Sequence, residues 1–237
     1  MHRFQNIALA SFISLAAIFF LDSCAAANSG VVGEAAAKSS GYEMQQQEKQ
    51  LLLEKTFADL IATVRAGSDP EAILPFITDS SEYWFDSLEV AAQTENQELL
   101  EQRPFCEVYM ILLYRLYERE HLWTVQEDRM ISLAFAKKGM LLKLTELELG
   151  PMEVKNDRGS IGLAQSPKVP VLLFTWDDLK WELDVVESFP LATKGIESIG
   201  VKKNWSNTKL ALYLLEKEYR YDYSSIDESL LEPIPSI

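Results

Sequence analysis

Apolar positions recur along this chain in two periods, and the switch from one to the other divides it. Leu53, Phe57, Leu60, Ile61 and Val64 fall three and four apart, which sets them on one face of an α-helix, and Gly67 supplies the left-handed residue on which such a helix stops. Ser68-Asp69-Pro70-Glu71 has the form of a capping box with proline in the first turn, so a short second helix is predicted over 71–77. Asp79 or Ser80 caps a third helix in which Tyr83, Trp84, Leu88 and Ala91 share a face, and Thr94 with Gln97 signals a further start before Pro104. Residues 105–117 are apolar on nearly every side, which predicts a central helix. Thr124 with Glu127 opens one more, running through Met130, Leu133 and Ala134 to Lys138.

After Gly139 the period falls to two. Leu142 and Leu144, then Leu147 and Leu149, alternate with polar residues, and the slip of parity between them calls for a bulge near Thr145-Glu146; the rival reading extends the preceding helix across Gly139 through Leu141, Leu144 and Leu147. Met152 and Val154, the turn Asn156-Asp157-Arg158-Gly159, then Ile161 and Leu163 read as a hairpin. A second, more hydrophobic hairpin runs from 171–176 across Asp177-Asp178 to Trp181, Leu183 and Val185. Helix returns over 209–217, with Leu210, Leu212, Leu214 and Leu215, and a short turn at 229–231 precedes Pro233 and Pro235. The expected class is α+β: helices packed on a curved antiparallel sheet, with additional helices before and after it.

The N-terminus is patterned differently. Arg3 precedes an uncharged apolar run over 7–21 that closes at Asp22 and is followed by Ser23-Cys24-Ala25-Ala26-Ala27. A cationic flank and about fifteen apolar residues, against the roughly 20 needed to cross the hydrocarbon core, describe an export signal and not a membrane span. Leu21, Ser23 and Cys24 resemble the lipobox of a bacterial lipoprotein signal, in which leucine stands third before an acylated cysteine and a small residue stands just before it. Asp22 departs from that pattern, and Ala25-Ala26-Ala27 also offers an ordinary cleavage site, whose use would give a secreted or periplasmic protein. The resemblance implies that residues 1–23 are removed and that Cys24 carries lipid at the mature N-terminus. It also implies a place in the cell envelope, at the outer membrane or surface in preference to the inner membrane. The small and polar residues 24–50 read as a flexible tether, and 51–237 as a single domain able to bury its own core.

Charge narrows the partners. The chain carries 36 acidic and 22 basic residues, the leader removes one of each, and the mature net charge stays at −14. Nucleic acid is excluded on that balance, and membrane attachment is expected through Cys24, not through a basic face. Besides Cys24 the only cysteine is Cys106, at the first turn of the central helix, which reads as a buried structural thiol. His121, the one histidine after the leader, follows Glu118-Arg119-Glu120 at a helix end, where a surface or capping role is expected. The signatures G-x-S-x-G, H-E-x-x-H, G-x-x-x-x-G-K-S/T and C-x-x-C do not occur, and no metal or cofactor is expected.

The order of a helix, the corner Ala66-Gly67-Ser68-Asp69, a short helix, a longer helix and a meander ending in Leu179-Lys180-Trp181-Glu182-Leu183-Asp184 resembles the nuclear transport factor two-like (cystatin-like) superfamily. The likeness is to its small exported bacterial members and covers about 52–187. Trp181 and Asp184 match its closing strand of Gly-x-Trp-Lys-x-Asp-Leu type; Leu179 stands where the family has glycine, and Lys180 precedes the tryptophan instead of following it. The resemblance implies a cone-like sheet around a hydrophobic cavity, in which enzymatic members hold an Asp base with a Tyr, His or second acid.

Parity bears on that chemistry. Trp181, Leu183 and Val185 turn inward and send Glu182 and Asp184 outward, as Leu147 and Leu149 send Glu146 and Glu148, so no inward carboxylate is expected. Asp177, Asp178 and Arg158 read as turn residues. Tyr83, Trp84, Tyr109, Tyr114, Trp176 and Trp181 either line a pocket or fill the core, core filling being favoured, and Trp84, Tyr109 and Trp181 are the candidate ligand-binding residues. Tyr213, Tyr219, Tyr221 and Tyr223 cover a sheet edge or a partner. The function expected is that of a non-catalytic module that binds an apolar small molecule or assembles with protein, with a homodimer through the outer sheet face as a further mode. The alternative is a small enzyme of isomerase or dehydratase type, which would need an inward acid beside Tyr or Arg.

Overall fold

The computed structural model describes residues 36–67, 69–125, 127–135, 146, 148–219 and 226–234, with side chains from Gln45 onward. The leader, Cys24, Ser68, the alternating leucines 142, 144 and 147, and Tyr221 and Tyr223 lie outside the described residues.

Helix α1 spans Ala36–Ala66, so residues 36–50, expected as part of a tether, are helical. The predicted stripe is its inner face: Leu53, Leu60, Ile61 and Val64 are buried, Phe57 packs on the core, and Gly67 at φ +68° ends the helix. At the corner the Asp69 carboxylate accepts from the Glu71 N–H at 3.4 Å. Two 3₁₀ turns, Pro70–Ala72 and Leu74–Phe76, replace the predicted short α-helix, because Pro75 removes an N–H that an α-helix would donate.

Helix α2, Asp79–Thr94, is capped by Thr78, whose hydroxyl accepts from the Ser81 N–H at 3.2 Å; neither Asp79 nor Ser80 does this. Its buried face is Ser81, Phe85, Leu88, Ala91 and Ala92, while Tyr83, read as sharing that face, is 73% exposed. Asn96 caps the single turn α3, Gln97–Leu100. Helix α4, Phe105–Arg119, is the predicted central helix, buried continuously from Met110 to Leu116, and it packs against α2, α5 (Arg129–Phe135), α6 (Val185–Lys203) and α7 (Asn207–Tyr219).

The sheet is an open, curved antiparallel meander in sequential order: β1 Leu149–Lys155, β2 Arg158–Leu163, β3 Ser166–Asp177 and β4 Lys180–Leu183. Both predicted hairpins are present. The first turns at Asn156-Asp157, and the second at Asp178-Leu179, where both residues have positive φ. Gly159, Phe174 and Leu183 stand in one row across β2, β3 and β4, and α1 lies over that face. A Cβ on Gly159 would come within 2.7 Å of Leu53 Cδ2, the Phe57 ring meets Phe174 edge-on at 6.3 Å, and Trp181 Nε1 donates to the Lys49 carbonyl at 2.8 Å.

The second hairpin is shorter than expected. Val185, read as its last inward residue, opens helix α6, which the periodicity did not indicate. Asp184 is the cap of that helix, its Oδ1 accepting from the Glu187 N–H at 2.9 Å, and Asn204 in the left-handed region ends it. After α7 a 3₁₀ turn, Glu228–Leu231, brings Leu230 and Leu231 back into the core. The fold is α+β.

Candidate functional site

Trp84, Tyr109 and Trp181 take their partners from different parts of the fold. Trp84 on α2 is half-buried against Phe85 and Phe189, and its Nε1 donates to Glu107 at 3.1 Å. Tyr109 on α4 lies beside Phe105, and its hydroxyl donates to Glu218 of α7 at 2.8 Å; burial, with Glu218 next to it, pushes that phenol well above its ordinary range. Trp181 on β4 is 1% exposed, wedged between Trp176, whose ring centroid is 5.2 Å away, and the backbone of α1. Trp181 therefore fills the core. Beside it the Lys49 ammonium is 2.6 Å from Asp157 and 5.0 Å from the centre of the Trp176 ring, which holds the start of α1 down on the first hairpin.

The indole of Trp84 ends a chain of ion pairs. Arg103 donates through Nε and Nη2 to both oxygens of Glu95, at 2.6 and 2.7 Å, and through Nη1 to Glu107 at 2.5 Å. The guanidinium hydrogen bond holds the Glu95 carboxyl below its ordinary range and raises Arg103 in turn. A carboxylate kept ionised in this way is a poor proton donor at neutral pH.

Glu182 and Asp184 do lie opposite Trp181 and Leu183, but they are not in water as parity alone suggested. They are 7% and 9% exposed, because α6 leaves β4 at once and packs along β3. Glu182 pairs with Lys180, and Asp184 caps α6 with its second oxygen 3.9 Å from Arg158 Nη1. Arg158, read as a turn residue, starts β2; it also reaches Thr175 Oγ1 at 3.1 Å and pairs with Glu187. Each carboxylate is thus bound to a cation or a helix end. Asp128 is held above its ordinary range by burial, and Glu127, Asp86 and Asp69 next raise it; these neighbours are acids, not the Tyr or Arg partner expected for the isomerase or dehydratase alternative.

Two buried groups complete the polar interior. Cys106 is fully buried, and burial pushes its thiol up to about 12, which makes it inert. Arg115, in the middle of α4, is 2% exposed and donates to the carbonyls of Ala92 at 2.8 Å, Leu230 at 3.0 Å, Ala91 at 3.2 Å and Glu95. Burial lowers its pKa to about 10, so it stays a cation at neutral pH. Apolar spacing does not single it out, although a lone arginine within the apolar stretch from Val108 to Leu116 was itself a signal. His121 follows the end of α4 at φ 53° and is exposed, the surface position expected of it. Among the described residues no three His, Cys, Asp or Glu side chains are grouped to hold a metal. No family model, curated protein or solved structure matches this chain.

Proposed function

We propose that the protein is an exported lipoprotein, anchored by lipid on Cys24, whose body is a non-catalytic, nuclear transport factor two-like module for assembly with another protein at the cell envelope. The observation that carries the non-catalytic part is the fate of the buried polar groups. Asp184, Glu182, Glu95 and Glu107 are each bound to a cation or a helix end, and Arg115 to main-chain carbonyls, so none is left to move a proton on a substrate. Assembly is favoured over carriage of a small apolar ligand because Trp181, the residue best placed to line a cavity under the sheet, is enclosed by protein. The helix-first order, the Gly67 corner, the 3₁₀ turns and the antiparallel meander support the superfamily reading; the two helices after the sheet are additions to it.

Anchorage rests on Leu21, Ser23 and Cys24 and is tested by mass spectrometry of the mature N-terminus, expected to begin at an acylated Cys24. An intact leader, or an unmodified terminus after Ala27, overturns it. Native mass spectrometry of the full chain tests the module: a complex with a second copy or a partner protein is expected, and a monomer holding an apolar small molecule overturns assembly in favour of carriage.

A further inference from the structure

The chain as a whole is strongly acidic, yet the segment 200–217 holds four lysines, Lys202, Lys203, Lys209 and Lys217, against one acid, Glu216. It forms the corner between α6 and α7. There the rings of Trp205 and Tyr213 lie 5.0 Å apart, and three ammonium groups bracket them. Lys203 is 4.5 Å from the centre of Trp205 and 5.6 Å from that of Tyr213, Lys209 is 5.3 Å from Trp205, and Lys217 is 5.5 Å from Tyr213. Among the described residues none of these three lysines is paired with a carboxylate. Val201, one turn before Trp205, is 78% exposed.

The corner is preformed. Asn204 adopts the left-handed conformation, Trp205 N–H donates to the Gly200 carbonyl at 2.9 Å, and Asn207 Nδ2 donates to the Arg103 carbonyl at 3.0 Å. A Cβ on Gly200 would come within 3.0 Å of Leu210 Cδ2, so glycine there allows α7 to close on α6.

We propose that this corner docks onto the anionic headgroups of a lipid bilayer, with Val201 and the rim of Trp205 entering the interface and Lys203, Lys209 and Lys217 meeting phosphates. An indole and a phenol set among lysines, with an exposed valine four residues before the indole at the end of α6, match the layered polarity of a headgroup region. Most of the net charge of −14 is remote from the corner and charges more than about 8 Å away are screened at physiological ionic strength, while Glu216 and Glu218, on either side of Lys217, offset part of its charge and leave Lys203 and Lys209 as the main contacts. Each lysine near an anionic leaflet favours partitioning roughly fivefold, so the three together supply at most roughly a hundredfold. The inference rests on the anchored reading only for bringing a bilayer within reach.

The test uses the full chain reconstituted with vesicles whose lipids carry bromine on the acyl chains, either phosphatidylcholine alone or with phosphatidylglycerol. Tryptophan emission should be quenched in the anionic vesicles only, and the quenching should be lost at high salt, in Trp205→Phe and in Lys203→Glu/Lys209→Glu/Lys217→Glu. The milder triple substitution to Gln should lie between. Equal quenching in both vesicles, or quenching indifferent to the lysines, overturns the proposal; so does lysine-dependent binding of soluble polyglutamate without bilayer quenching, which would mark an acidic protein as the partner. The mass of the N-terminus, read on the same sample, separates the two readings. Lysine-dependent quenching with an unmodified Cys24 removes the anchor and leaves the surface, and the opposite pair of results does the reverse.

Discussion

Replacing Arg115 by methionine removes the donors that join α2, α4 and the C-terminal turn, while the thioether keeps much of the apolar stem. Four charge-assisted bonds to carbonyls contribute roughly 1.5–3 kcal/mol each, or about 6–12 kcal/mol gross. Burying the guanidinium opposes this: a pKa brought from 12.5 to about 10, with desolvation only partly offset by Glu232 and Glu95, corresponds to a net penalty of about 3 kcal/mol. Two of the acceptors keep a second donor in the variant, since Glu95 N–H reaches Ala91 O at 2.9 Å and Ile234 N–H reaches Ala92 O at 3.4 Å. The carbonyls of Glu95 and Leu230 bear most of the change, at about 1–3 kcal/mol each, so a net loss of about 2–6 kcal/mol is expected.

Exchanging a whole buried ion pair for hydrophobic residues is often neutral or stabilising, because both charges leave together. That escape is closed to Arg115→Met, whose acceptors are main chain and stay behind. Urea unfolding at pH 7, followed by far-ultraviolet circular dichroism and tryptophan emission, reads the loss as a lower midpoint with an unchanged slope. Arg115→Lys should fall between the two, since an ammonium cannot span four carbonyls as a planar fork does. A methionine variant within about 0.5 kcal/mol of the parent would refute the account.

Gly162→Ala should cost more than Gly159→Ala, about 1–3 kcal/mol by the same unfolding assay, because its Cβ would stand 2.4 Å from the main-chain oxygen of Pro167, whereas at Gly159 the obstacle is the movable Leu53 side chain. Iodoacetamide at pH 8 should leave Cys106 unmodified in the native protein and alkylate it in urea, as peptide mapping would report; native labelling in proportion to reagent would show that the thiol is not buried. Because Glu95 is held below 4.5 in the folded state, its contribution is present above that pH and is lost as pH falls through the folded value. Glu95→Gln should therefore cost about 1 kcal/mol at pH 7 and progressively less below pH 4.5, and a constant difference across the acid limb would contradict this. Leu179, 84% exposed at φ +69°, should gain up to about 1 kcal/mol on replacement by Gly, and a drop in the urea midpoint would contradict the strain assigned to it.

The helical half of the fold was legible where one face meets one core. The inner stripe of α1, the Gly67 stop and the apolar girth of α4 follow from spacing alone, and both hairpins follow from alternation punctuated by Asn156-Asp157 and Asp177-Asp178. Caps were displaced by a residue or two, as at Thr78 and Asn96, because several short polar side chains in a row compete for the same N–H groups. Helix α6 carries little helical signal, since Val185 and Val186 continue the β-branched pattern of the strand and Pro190, Gly195 and Gly200 are poor helix formers. One signal did point to it: Asp184 with Glu187 three residues on has the spacing of a capping box, and the Asp184 half of it is formed, while the Asp184 N–H donates to the Leu173 carbonyl.

The candidate site depended on an assumption that β4 does not meet. Parity separates an inner from an outer face only when one face is wet. On β4 the three residues Trp181, Glu182 and Leu183 are all buried, so the acids there became parts of the scaffold. The corner of α6 and α7 was not legible in the sequence for a different reason. A net charge is a sum over the chain, while contact with a surface samples what lies within a Debye length. Lys203, Lys209 and Lys217 are up to fourteen positions apart in sequence and gather around one ring pair only because Asn204 turns the chain between two helices. An acidic chain can therefore present a locally cationic corner, provided that a turn concentrates its few lysines, and the docking proposed for it rests on that local concentration and not on the net charge.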